Sequence, residues 1–328
     1  MLRRLAAPTL GSLLGACVAP TPPPVVEGEG GRWEQLPELA GGARQESCVV
    51  ALRGEVVVVG GINALGATLS SVEAYEPVAA RWRRLADLPL PLHHANCAVV
   101  DGRLVVGGFL LGVDFTPDAR TFVFDVDGDT WTDATPMPEG TQRGAAGAVA
   151  HQGWLYVVGG IQVASQTAVS RYSPAEDRWE ELSPLPVALD HLSAHDVEGR
   201  LLGIGGRTNG IGRHTATVLE LDDASGEFLE KGAMPTSRAG FAAAVLGDEI
   251  IVVGGEGNGA EASGVFDQVE AYAPSTDQWR ALLPMRTPRH GMGAAVVDGA
   301  LYVPGGADRQ GFAAVATHER FVPVAAPP

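Results

Sequence analysis

Charged and imidazole side chains recur along this chain at intervals near fifty residues: Arg44, His93-His94, Arg143, Asp190-His191, Arg238 and Arg289-His290. Arginine offers a planar fork of N–H donors. Several such forks beside imidazoles suit a carboxylate or a sulfate. The candidate ligand-binding set is therefore Arg44, His93, Arg143, His191, Arg238, Arg289 and His290. The same arginines have a structural use, donating to loop carbonyls and fastening one repeat to the next. Both uses stand at this point.

Other chemistry is thinly represented. No HExxH, Cys-x-x-Cys, P-loop or Gly-x-Ser-x-Gly motif occurs, and nothing fixes a Ser/His/Asp triad, so no catalytic residue is assigned. Asp125-Val126-Asp127-Gly128-Asp129 resembles a calcium loop in composition. Its Gly is fourth rather than sixth, however, and the segment falls where a strand-connecting turn is due. No metal and no cofactor are expected. The formal net charge of −16 argues against a phosphate backbone as partner.

The elements that must position these residues follow from the repeat itself. A Gly-Gly pair after an apolar run occurs six times, at Gly60, Gly107, Gly159, Gly205, Gly254 and Gly305, with spacings of 46 to 52 residues. An aromatic before a turn recurs in step: Trp33, Trp82, Trp131, Trp179, Phe228 and Trp279, spaced by 48 to 51 residues. Seven residues before five of these stands another large apolar residue: Tyr75, Phe124, Tyr172, Leu221 and Tyr272. Each repeat reads as four short strands. The second has no polar alternation, as expected when both faces are covered. Small residues such as Ala145-Ala146-Gly147-Ala148 and Ala242-Ala243-Ala244 fit inner strands crowded at an axis. A composition of 45% hydrophobic and 19% charged residues, with 43 glycines, supports a large turn-rich core.

This pattern resembles the kelch repeat, whose period it shares. The resemblance covers roughly residues 31–323. It implies an all-β fold, a six-bladed β-propeller of four-stranded blades. The last repeat reaches Phe321 and then lacks its fourth strand, whereas Gly31-Arg32-Trp33-Glu34-Gln35 is a fourth strand with no repeat before it. The N-terminal strand is expected to close the last blade, leaving no open edge. Kelch repeats often carry Arg at the start of the inner strand. Cys48 and Cys97 occupy related inner-strand positions of adjacent blades, where a disulfide and two free thiols are both compatible with the sequence.

Residues 1–17 read MLRRLAAPTLGSLLGAC, a basic start followed by an apolar stretch too short to span a bilayer. Leu14-Gly15-Ala16-Cys17 resembles the lipobox of bacterial lipoproteins. That resemblance implies removal of residues 1–16, lipidation of Cys17 and a place in the cell envelope, with Val18 favouring the outer membrane. Residues 17–30 read as a Pro/Gly-rich tether and 31–328 as the propeller. Several acyl chains on one Cys would anchor firmly, so a membrane contact through the lipid alone is expected. The loops after each Gly-Gly differ from one another, which suits recognition. A monomeric binding or scaffold module for an envelope protein or glycan follows, with exposed Phe109, Leu110 and Leu111 as an expected contact patch. The alternative is a carbohydrate-active enzyme resembling the exported sialic-acid mutarotases, with six kelch blades and an Arg/His-lined channel mouth. Resemblance to kelch copper radical oxidases fails, because all five Tyr have blade positions.

Overall fold

The computed structural model describes residues 25–28 and 30–324. Cys17 and the leader lie outside them. The described residues form six antiparallel sheets around an axis, plus one two-residue pairing, and contain no helix. In the first blade the strands run Cys48–Leu52, Glu55–Val59, Val72–Glu76 and Arg81–Leu85, from the axis outward. The second strand is buried across Val56, Val57, Val58 and Val59, matching its unbroken apolar run. The two recurring aromatics prove to be cross-strand partners. Tyr75 faces Trp82, Phe124 faces Trp131, Tyr172 faces Trp179, Leu221 faces Phe228 and Tyr272 faces Trp279.

The sixth pair is Trp33 with Phe321, which closes the ring as expected. Gly31–Gln35 pairs antiparallel with His318–Pro323, and the two rings meet at a tilt of 54° with centroids 5.4 Å apart. One element was not expected. Val25–Gly28 adds a fifth strand to the outer edge of this blade, so the segment read as tether already contributes to the propeller. The physical reason is local: a β-branched pair precedes a glycine-rich turn that folds it back on Gly31–Gln35.

Each outer-strand Trp also fastens its blade to the one before. The indole N–H of Trp82 donates to Pro37 O, that of Trp131 to Ala86 O, and that of Trp33 to Leu283 O, each at 3.0 Å. Trp179 and Trp279 do the same to Thr135 O and Gly232 O. Phe228 has no N–H to give. At that junction of the third and fourth blades an open cleft of about 410 Å³ lies between Tyr156, Leu221 and Phe228.

The Gly-Gly pairs serve the same joints from the middle of the blade. Gly61 N donates to Leu92 O of the next blade, Gly160 N to Leu189 O, and Gly306 N to Arg44 O. Gly61 has φ +108, and a Cβ there would meet Gln45 O at 2.7 Å, so both conformation and space demand glycine. Cys48 and Cys97 are joined as a disulfide between neighbouring inner strands, with Cα atoms 6.4 Å apart, inside the range such a bond spans. Phe109 and Leu110 are core residues, not an exposed patch. The second blade's middle strands continue past a bulge, which turns both side chains inward. Asp125 to Asp129 is a turn: Asp125 accepts the Asp127 N–H, and Asp129 accepts Ala86 N at 2.8 Å.

His318 sits in the closing blade, edge-on to Tyr75 at 4.6 Å and beside Trp82. Burial pushes its imidazole down to about 3, against an opposing contact with Pro37 O, with the charges of Arg289 and Arg320 adding to the fall. His195 in the channel wall is pushed by burial to about 4. Both rings are neutral in the fold but take up a proton on unfolding below about pH 6.5. Their contribution is complete above that value and is lost as pH falls toward 4 and 3. Urea unfolding between pH 7 and pH 4 is therefore expected to show falling stability, and His318→Phe to flatten that slope.

Candidate functional site

The site begins with backbone. At the start of the inner strands, Glu46, His94, Ala145, His191, Gly240 and Gly291 all adopt φ between 50 and 61. Each donates its N–H to the carbonyl of its equivalent in the preceding blade. The donations run from His94 to Glu46, Ala145 to His94, His191 to Ala145, Gly240 to His191, Gly291 to Gly240 and Glu46 to Gly291. The six bonds, 2.7 to 3.1 Å long, form a closed circle around the channel mouth. Below it the channel is walled by small residues, including Ala148, Ala194, Ala244 and Ala294.

This circle explains where the predicted residues went. The sequence pattern merged three successive positions whose side chains leave in different directions. Two residues before each ring position stand Arg44, Leu92, Arg143, Leu189, Arg238 and Arg289, and these point into the blade, away from the axis. The four arginines are at most 1% exposed. Arg143 donates to Gly159 O, Val157 O and Ser170 Oγ. Arg44 pairs with Glu73, Arg238 with Glu270 at 2.8 Å, and Arg289 with Glu319 at 3.0 Å. Where the arginine is replaced by Leu92 or Leu189, the third-strand partner is apolar too, Phe122 or Leu219. The repeats thus substitute ion pair for apolar pair as a unit, which identifies the arginines as blade fasteners. Burial pulls the Arg143, Arg238 and Arg289 guanidiniums down to about 10, so they remain charged at neutral pH.

The next position, one residue before the ring, holds Gln45, His93, Asp190 and His290. These side chains hold the loops above. His93 donates from Nε2 to Gly112 O at 2.9 Å, and His290 from Nε2 to Arg309 O at 2.9 Å. Gln45 bonds Gly311 O and Ala313 N. The ring position presents Glu46, His94 and His191 to the axis, and Gln45 and His290 of the row before it also reach the cavity. Of the predicted set, His191 and His290 line the mouth, His93 stands behind it, and the four arginines do not reach it.

The mouth opens into a cavity of about 260 Å³, with Phe115, Ile211 and Phe312 on its upper wall. Its floor is polar. His191 Nδ1 donates to Asp190 Oδ1 at 2.6 Å, and Arg207 Nε donates to the same oxygen at 2.9 Å. Arg207 also pairs with Glu256, and Ser165 Oγ donates to the other Asp190 oxygen. Burial by itself would raise the Asp190 carboxyl. The hydrogen bonds from His191 and Ser165 and the Arg207 charge outweigh it and hold it down to about 2. Burial, with the neighbouring His191, His93 and Arg207 charges, holds His94 well below the ordinary imidazole range. Glu46, Arg207 and Glu256 were not found from the sequence. The available signal was their offset: Glu46 stands two residues after an Arg of the row, and Arg207 and Glu256 each follow a Gly-Gly directly.

Three stretches match the family description "Kelch motif", residues 43–89, 142–186 and 237–286. The chain is a kelch-repeat β-propeller of six four-stranded blades. It is 32% identical over 296 residues to Kelch-like protein terF of Aspergillus terreus, which aligns with 84% of this chain and 64% of that protein. It is 29% identical over 260 residues to Kelch-like protein 35 of Mus musculus, covering 78% of this chain and 42% of the relative. The chain thus spans less than two thirds of these relatives' length. Among solved structures, "Structure of YjhT" superposes with a TM-score of 0.71 at 17% identity, over 86% of this chain and 95% of that one. At that identity the likeness is one of fold.

The pairing of Arg238 with Glu270 sets a test. Arg238→Ala is expected to cost about 3–5 kcal/mol, because Glu270 is left charged and buried. The double change Arg238→Leu with Glu270→Leu, which copies the Leu189/Leu219 solution of the fourth blade, is expected to recover most of the loss in chemical denaturation.

Proposed function

We propose that this propeller is a binding module that engages a partner protein through the loop face around the channel mouth. The observation that carries this reading is the character of the loop tips. Five of the six loops between second and third strands each expose an apolar residue: Leu65, Val113, Val163, Ile211 and Phe312. Their exposure runs from 55% to 99%. Apolar side chains spread around a charged depression match the anatomy of a protein interface, with anchors that gain by losing water. A rigid ring of blades holds them in fixed relation, which lowers the ordering cost of binding. Kelch-like relatives are consistent with this coarse assignment.

The cellular setting belongs to the same proposal. Lipidation of Cys17 and residence in the bacterial envelope rest on the leader and lipobox pattern alone, with a monomer tethered by its acyl chains. A glycan ligand in the mouth is the variant of this reading in which the cavity rather than the tips makes the contact. An enzymatic reading draws support from one feature: His191 is oriented by Asp190, so its Nε2 is turned toward the cavity as a base would be. Asp190 itself is held ionised and is unsuited to donate a proton.

The test has two arms. Cross-linking in envelope extracts is expected to capture a discrete partner. Combined Leu65→Ser, Val163→Ser and Ile211→Ser should reduce that capture at least tenfold with the melting temperature unchanged. Unaltered capture would remove the loop face from the proposal. Metabolic labelling with a radioactive fatty acid is expected to mark the wild-type chain and to be lost in Cys17→Ala; an unlabelled wild type would overturn the anchor.

A further inference from the structure

The ring position places three lone-pair donors together. His94 Nε2 lies 3.2 Å from His191 Nε2 and 3.2 Å from Glu46 Oε2. All three ligand atoms fall within 4.8 Å of one another. What makes this more than a cluster is that the surrounding hydrogen bonds fix which nitrogens carry protons.

A backbone carbonyl can only accept. Gly112 O receives His93 Nε2–H, so neutral His93 offers a lone pair at Nδ1. His94 Nδ1 lies 2.5 Å from that atom and must supply the proton of the bond. His94 Nε2 is therefore a bare lone pair aimed at the axis. On the other side Asp190 Oδ1 accepts both the His191 Nδ1–H at 2.6 Å and the Arg207 Nε–H at 2.9 Å, which leaves the His191 Nε2 lone pair turned to the axis. Two imidazole lone pairs and a carboxylate oxygen then face one another, and the Arg207 Nη2–H reaches His191 Nε2 only at a long 3.3 Å. Such an arrangement is repulsive unless a cation fills it.

A proton and a metal ion are the two candidates, and the geometry separates them. A proton on His191 Nε2 would serve His94 but leave Glu46 Oε2 without a donor. It would also set an N–H against the Arg207 Nη2–H, which lies 3.3 Å away. A divalent ion serves all three donors at once. With bonds of about 2.1 Å, tetrahedral ligands stand ~3.4 Å apart and cis octahedral ligands ~3.0 Å, which brackets the two 3.2 Å separations from His94 Nε2; Glu46 and His191 stand farther apart, within 4.8 Å, so the Glu46 side chain would draw in as the ion binds. The surroundings are rich in carboxylates: Glu46, Asp190 and Glu256 share the floor with Arg207, and His290 Nδ1 stands 4.0 Å from Glu46 Oε1 and 3.9 Å from Glu256 Oε2. Space has been left for the carboxylate, since a Cβ on Gly291 would lie 2.5 Å from Glu46 Oε1.

We propose that Glu46, His94 and His191 form a binding site for one borderline divalent transition ion, with zinc the best match to two imidazoles and one carboxylate. Asp190 is the positioning residue for His191, as outer-sphere carboxylates are for metal-bound imidazoles. The remaining coordination positions face the 260 Å³ cavity, so an oxygen donor from a bound molecule could complete the shell. This site does not depend on the identity of any partner at the loop face.

The test uses the purified chain without a polyhistidine tag, stripped with chelator, at pH 7.5. Titration with Zn²⁺ by calorimetry and with Co²⁺ by visible absorption is expected to give one ion per chain. Glu46→Gln and His191→Ala should each weaken binding at least tenfold, and Asp190→Asn about tenfold. Glu46→Gln alters one mouth-facing side chain and keeps the test open if a histidine variant fails to fold. Absence of saturable binding by either ion, or equal binding by wild type, Glu46→Gln and His191→Ala, would overturn the site.

Discussion

Six backbone hydrogen bonds at the channel mouth hold the geometry on which everything else in this molecule rests. To make them, the chain must enter every inner strand through one left-handed residue. Four of these six are not glycine: Glu46, His94, Ala145 and His191. A left-handed conformation costs an L-residue roughly 1–2 kcal/mol, so each is held there by its neighbours. The circle tolerates this because each N–H and carbonyl at the mouth would otherwise lie partly buried without a partner. The left-handed turn also fixes the directions of three consecutive side chains. The first goes into the blade, the second up into the loops, and the third toward the axis.

Two further sets of bonds repeat the logic farther out. In five blades a glycine N–H reaches a carbonyl of the next blade at middle radius, with Asn96 Nδ2 taking that place in the second blade, and indole N–H groups reach carbonyls of the preceding blade at the rim. Each is a polar bond made across an otherwise apolar joint, which fixes the angle between blades where packing alone would allow slippage. In three blades a buried Arg–Glu pair sits between these circles and ties the start of the inner strand to the third strand. The rim circle is interrupted once, at Phe228, and an open cleft lies at that joint, although a larger one of about 660 Å³ lies between the first and second blades, where Trp131 does make its bond. The departure of the fourth repeat from the pattern, visible in Leu221 and Phe228, thus has a structural consequence.

The candidate site was only partly legible in advance. The recurrence of Arg and His at the entries to the inner strands is a real regularity of the fold, and His191 and His290 of that set do line the channel mouth. The roles were assigned to the wrong rows because periodicity locates a repeat to within a residue or two, whereas side-chain direction reverses with a single step. Arg143 and His94 belong to equivalent entries into their blades, yet one is sealed among carbonyls and the other faces the axis. Phe109 and Leu110 were misplaced for a related reason: a bulge in the second blade extends its middle strands and turns them inward.

The sequence by itself determined the blade number, the four-strand repeat, the recurrence of an aromatic or large apolar residue seven positions before each outer-strand aromatic, and the closure of the ring by Trp33. These follow from spacing, and spacing survives any detail of packing. Tertiary structure alone decided that Cys48 meets Cys97, that Val25–Gly28 extends the last blade, and that Glu46, His94 and His191 converge. Those residues lie 48 and 97 positions apart along the chain, and nothing local relates them. Only the closing of six blades on one axis brings their donor atoms within reach, because convergence is a property of the ring and not of any repeat within it.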